Sequence, residues 1–164
     1  MNLPIEARRL LPHRGQMLLI DSVLTAEGDA GTALADLSTQ SIALDSDGSL
    51  LTPFYIELLA QAYAAICGYQ LQSLGRPIPE GYLVGVQKFH ITSQKTAEFS
   101  SNELLITVQI VGNFNGFAVV EGTVSCEEIT LAEGRIKVFV PQEESIAELL
   151  AQAKSVETAP LWQL

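Results

Sequence analysis

A chain of 164 residues, 48% of them hydrophobic, can bury one real core but not two comfortable ones, so one domain over residues 1–153 with a tail at 154–164 is expected. Nine basic residues against 19 acidic ones leave a formal charge of -10, which argues against nucleic acid as the main partner because phosphate neutralisation needs clustered cations. No apolar run approaches the roughly 18 residues that span a bilayer, and Met1 to Glu6 shows no cationic segment followed by an apolar one; no membrane insertion and a cytoplasmic location are expected.

In chain order, alternating patterning suggests a strand over 16–24 and a shorter one over 31–37. A short acidic loop with Asp45 and Asp47 follows. Thr52 then suits a helix cap, Pro53 suits the first helical position, and an apolar-rich run continues to Leu74 before Gly75 and Pro77 stop it. Such a helix is about 22 residues, roughly 33 Å long. Ala60, Ala64 and Gly68 recur every four residues and make one flat stripe that can lie close to another surface, while Ile56, Leu59, Ile66, Cys67 and Leu71 supply bulk elsewhere. Sparse polarity on this helix points to burial on several sides.

Four strands are expected after the helix, over 82–91, 103–111, 117–126 and 134–140, with Asn113-Phe114-Asn115-Gly116 a turn signal between the second and third. Helical spacing returns over 143–153. The order is that of an α+β fold with a largely antiparallel sheet wrapped around one long central helix. Cys67 and Cys126 have no metal-like spacing and read as buried thiols; no metal site, nucleotide fingerprint or phosphate-binding glycine loop is present in the sequence.

Three segments together resemble the 3-hydroxyacyl-[acyl carrier protein] dehydratases, small hotdog-fold enzymes that remove water from a thioester-bound acyl chain. They are Leu11-Pro12-His13-Arg14 with Met17-Leu18-Leu19-Ile20-Asp21, then Ile56-Glu57-Leu58-Leu59-Ala60-Gln61-Ala62, then Gly81-Tyr82-Leu83-Val84-Gly85-Val86-Gln87-Lys88-Phe89. The dehydratase-like proteins of aryl-polyene-type pigment clusters look closer still. The resemblance covers roughly residues 8–140 and implies a hotdog fold, with Tyr82, Val84, Gly85 and Val86 lining an acyl tunnel. It implies a substrate carried on the 4'-phosphopantetheine of acyl carrier protein or on coenzyme A, and no other cofactor.

One departure stands beside the match. Where the family sets a catalytic histidine in a His-Phe-Pro-Gly-like segment ahead of the helical glutamate, this chain has Ala43, and Ser41 to Gly48 contains no histidine. Two histidines remain, His13 and His90, of which His13 in the matched segment is the better replacement. A structural histidine that caps a turn or bonds across a dimer interface is the plainer reading of His13.

Glu57 is the only carboxylate between Asp47 and Glu80, one turn inside an otherwise apolar helix. That setting suits proton exchange better than a surface salt bridge, although a solvated carboxylate near a helix N-terminus is the ordinary alternative. Gln61, four residues on, shares its face and can orient it. Dehydration needs a base at C2, an acid at the C3 hydroxyl, and donors for the enolate oxygen; His13 and Glu57 are the candidate pair, and Asp45 a fallback. Arg14, Arg76 and Lys88 offer cations for an acidic carrier protein, although scattered cations are more simply solvated surface. A hotdog thioesterase and a non-catalytic hotdog subunit of a heteromeric dehydratase are the alternatives. Either a homodimer or a heterodimer is expected, because a single curved sheet exposes an edge.

Overall fold

The computed structural model describes residues 2–39, 41–92 and 99–141. Seven strands, β1 (Ile5–Glu6), β2 (Ser22–Glu27), β3 (Ala30–Asp36), β4 (Tyr82–Ile91), β5 (Glu103–Phe114), β6 (Phe117–Cys126) and β7 (Ile129–Phe139), form one sheet in the order β1-β2-β3-β5-β6-β7-β4. Every neighbouring pair is antiparallel. The single long helix α1 (Thr52–Ser73) lies against the inner face of this sheet. The expected α+β architecture is therefore the one observed. The helical spacing at 143–153 and the tail at 154–164 lie outside the described residues.

The helix is buried on most of its circumference: Tyr55, Leu58, Leu59, Ala62, Ala65 and Ile66 are all inaccessible or nearly so. Burying each large apolar side chain among them contributes about 1.5–3 kcal/mol. The sheet comes close enough to do this where Gly122 of β6 stands directly opposite Gly134 of β7. A Cβ on Gly122 would lie 2.7 Å from Leu59, and one on Gly134 would lie 2.3 Å from the Phe89 ring. The paired glycines thus open a notch in the sheet that admits Leu59 from the helix and Phe89 from β4.

Three expectations change in detail. The helix takes Thr52 as its first residue, and Leu51 occupies the cap position with no side-chain bond; the Leu51 N-H is held instead by the Ala43 carbonyl at 2.9 Å. The strand expected over 16–24 begins only at Ser22, because residues Gly15–Met17 make a turn of 3-10 helix. β7 begins at Ile129, earlier than the expected 134, because a tight turn follows β6 with Glu127 and Glu128 both at positive φ (49° and 73°). Two glutamates are not the residues such a turn favours. The other hairpin carries the expected signal: Asn115 (φ 49°) and Gly116 (φ 80°) turn β5 into β6.

Candidate active site on the open side of the helix

A stripe of α1 remains half-exposed, through Ile56, Glu57, Ala60, Ala64 and Cys67. These positions fall three or four apart and so share one side of the helix. The side is apolar and mostly small except for Glu57, whose side chain is 28% exposed. Glu57 thus borders an opening.

Three residues named from the sequence meet here. His13 places Nε2 3.7 Å from Glu57 Oε1, an ion-pair separation. The Gln61 amide donates to the same Glu57 Oε1 at 2.7 Å. Gln61 is 1% exposed, and its remaining bonds run to the backbone of the segment after His13: Nε2 donates to the Met17 carbonyl at 2.8 Å, and Oε1 accepts from the Leu19 N-H at 2.9 Å. One side chain thereby satisfies the backbone that keeps 16–19 out of the sheet and fixes the carboxylate as well. Sequence spacing paired Gln61 with Glu57; nothing in the pattern signalled its grip on a segment more than forty residues away.

The same loop is clipped from the other side by Arg14, whose guanidinium donates at 2.6 Å to both the Leu11 and His13 carbonyls. His13 Nδ1 is buried with no hydrogen-bond partner among the described residues. A proton on Nδ1 would be a buried, unanswered donor, whereas a proton on Nε2 faces a carboxylate. The neutral ring therefore favours the tautomer protonated on Nε2.

The other sequence candidates fall elsewhere. His90 pairs with Glu133 on β7, on the sheet face turned away from the helix. Asp45 is exposed and accepts the Ser46 N-H at 2.6 Å within its own loop, while its backbone N-H and carbonyl close the turn with Ser49 and Gly48. Ala43 is 1% exposed. Among the expected tunnel residues, the register of β4 on β7 turns Val86 to the helix side with Ile136, but turns Tyr82 and Gly85 to the outer face with Phe139 and Lys137; Val84 falls at the bulge between them. On this register Leu83, opposite Val138, shares the helix side with Val86, so the four expected residues do not lie on one face. Arg14 lies in the loop ahead of β2, Arg76 follows α1 directly, and Lys88 sits at a bulge of β4 with φ 45°, so the three candidate cations come from three separate elements.

The cysteines are free thiols. Burial pushes both up from the usual thiol range, with the Tyr63 hydrogen bond opposing this at Cys67, so neither is set up as a nucleophile. Burial likewise raises Tyr55 to about 12. Among the described residues no group of three His, Cys, Asp or Glu side chains converges as a metal centre would, and no helix is long and apolar enough to cross a membrane.

One helix wrapped by a seven-stranded antiparallel sheet is the hotdog fold, and solved structures share it. The dehydratase heterocomplex ApeI:P from Xenorhabdus doucetiae matches with a TM-score of 0.76 at 24% identity, over 92% of this chain and 99% of that one. The Escherichia coli PaaI protein from the phenylacetic acid degradation operon matches at 0.56 and 14% identity, over 75% and 80% of the two chains. A hypothetical thioesterase from Streptococcus pneumoniae solved with coenzyme A matches at 0.54 and 12%, over 73% and 84%. No curated protein matches. The ApeP-like model, described as ApeP dehydratase, matches residues 5–153, and the chain belongs to that family. Membership supports acyl-carrier-protein-linked dehydration of the aryl polyene type over thioester hydrolysis.

Proposed function

We propose that this chain is one subunit of a hotdog dehydratase acting on 3-hydroxyacyl thioesters, and that it supplies Glu57 as the group that exchanges a proton with the C3 hydroxyl. The carrying observation is the convergence of His13 and Gln61 on one Glu57 oxygen at a half-open apolar stripe. Gln61 fixes the carboxylate, and His13 holds it through Nε2. In the reaction the C2-H bond breaks to a base, the C3-O bond breaks with protonation of the leaving hydroxyl, and water departs as the C2-C3 double bond forms.

With its Nε2 on Glu57 and its Nδ1 buried, His13 serves Glu57 better than it serves C2. Ala43, in the place where the family sets its histidine, is buried and carries no base. A second hotdog chain would complete the pair. Two features favour such a partner: the ten-residue edge strand β4, with Leu83, Val84 and Val86 exposed, and the flat stripe of α1 beside Glu57. The heterocomplex of the structural relative is a precedent for two different hotdog chains in one dehydratase. The acyl chain, on a 4'-phosphopantetheine arm of acyl carrier protein or on coenzyme A, would enter between the subunits along Leu83 and Val86.

A panel of 3-hydroxyacyl thioesters, assayed separately for enoyl formation and thiol release, tests the reading with the chain alone and with a homologous hotdog subunit. Expected are enoyl product only in the mixture and a fall of about 10²- to 10⁴-fold on Glu57→Gln with an unchanged melting temperature. His13→Ala should lower turnover in the assembled fraction. Full activity of Glu57→Gln would end the mechanism, and thiol release without enoyl product would move the assignment to a thioesterase.

A further inference from the structure

The outer face of the sheet, turned away from α1 and the site, is organised in rows that cross four strands. Phe114 stands opposite Phe117, Phe117 opposite Phe139, and Phe139 opposite Tyr82. Directly paired residues of adjacent strands point to the same face, and the flanking Ala118 and Val138 are buried against the core, so this aromatic row points outward. Phe114 is 74% exposed, Tyr82 50% and Phe117 45%, and the Phe117 and Phe139 ring centroids lie 4.6 Å apart. The next outward row is Gly112, Val119, Lys137 and Gly85, and the one after it is Gln109, Glu121, Arg135 and Gln87. Within that third row Arg135 donates to Glu121 through Nε at 2.9 Å, and both side chains stay partly exposed.

A contiguous aromatic patch of this kind marks a contact surface, and the charges beside it decide what fits. They fit the same face of a second copy. Sheets packed face to face keep their strands within about 30° of one another, so a two-fold axis between two such faces runs either along the strands or across them. Across the strands, the aromatic row meets itself only if the rest of the two faces slide apart, because the row lies at the β5–β6 turn.

Along the strands, an axis between β6 and β7 sets Phe117 against Phe139 of the second copy, Phe114 against its Tyr82, and Glu121 against its Arg135, each contact occurring twice. The four charges then alternate in sign, and each Lys137 stem can lie over Val119 of the second copy. One strand to either side the match is lost: Arg135 would face Ala30 for an axis between β5 and β6, and Gln87 for one between β7 and β4. We propose that the outer face binds a second copy of this chain about the axis between β6 and β7. The half-open stripe of α1 stays available to a partner subunit, and the pairing holds whichever reaction the site performs.

Sedimentation equilibrium of the full-length chain over a concentration series tests this. The unmodified chain should form a dimer, or a tetramer where the α1 side pairs as well. Phe114→Ser with Phe117→Ser should halve that mass at concentrations up to about tenfold above those at which the unmodified chain assembles, with an unchanged circular dichroism spectrum. Arg135→Glu alone and Glu121→Arg alone each set like charges against one another across the axis and should weaken assembly by about tenfold or more. An equal mixture of these two variants should recover it, because a doubly acidic face then meets a doubly basic one. The ion pair within each chain stays lost in the mixture, so recovery reads only the contact between copies. A mixture no tighter than its components would overturn the proposal, as would assembly that survives the two serines or an unmodified chain that stays monomeric.

Discussion

The β5–β6–β7 meander and the Arg14–Leu19 loop hold their backbones in opposite ways. In the meander each strand is satisfied by its neighbours along nearly its whole length, so the shape is distributed over many equivalent bonds. In the loop, Met17 and Leu19 are satisfied by the side chain of Gln61, and Leu11 and His13 by that of Arg14. A ladder tolerates the loss of a rung; a loop that leans on two side chains tolerates the loss of one less well. The site is built on the second kind of structure, and its geometry depends on single residues accordingly.

The largest test of this contrast is Gln61→Leu, close in size and without polar atoms. It removes the bonds to the Met17 carbonyl and the Leu19 N-H, at about 1–3 kcal/mol each, and the one that holds Glu57. Thermal unfolding should show a loss of about 2–5 kcal/mol, and assembled dehydratase should lose activity beyond what the surviving folded fraction accounts for. If activity instead simply tracks the folded fraction, the amide is a structural tie and nothing more.

Gly122→Ala strikes the meander where it is least redundant. The new Cβ would meet Leu59 and the Thr107 carbonyl, both at 2.7 Å, and backbone cannot give way as a side-chain tip can. A loss of about 1–3 kcal/mol from overpacking is expected by denaturant titration, with His13, Glu57 and Gln61 still engaged. Disruption of the site by this substitution would show that helix and loop are not independent.

Glu128→Gly should be the smallest effect and of opposite sign. Relief of the left-handed conformation at φ 73° is worth up to about 1 kcal/mol, discounted from the usual 1–2 kcal/mol by the entropy a glycine brings to the unfolded chain. Melting temperature should rise by about 2–4 °C for each kcal/mol in a chain of this size. A fall would mean that the exposed Glu128 side chain contributes more than its backbone costs. Its neighbour Glu127 is a different case, because hydrogen bonds from Ser100 and Ser101 hold its carboxyl below the usual range. A depressed carboxylate stabilises at neutral pH, and that contribution is lost as the pH falls through its folded value.

The same contrast explains what the sequence disclosed. Strands 82–91 and 117–126 were legible to the residue because alternation over ten positions is a local signal. The long helix was legible from Pro53, the apolar run and Gly75. β7 was read short because its entry turn uses Glu127 and Glu128, residues that do not advertise positive φ. Glu57 and Gln61 were paired by helical spacing, and His13 was reached through the resemblance of its segment. The tie from Gln61 to Met17 and Leu19 was not legible, since a side-chain bond to distant backbone leaves no periodicity. The two-sided fate of Tyr82, Gly85 and Val86 was hidden by a bulge, which reverses alternation without any mark in composition.

The packing at Ala43 makes the absence of a histidine there hard to undo. Its methyl is enclosed and its carbonyl accepts the N-H of Leu51, the residue before the central helix, so an imidazole at this position would overpack its surroundings. Should the chain work as half of a pair, as proposed above, a histidine restored at this position would need room made for it first.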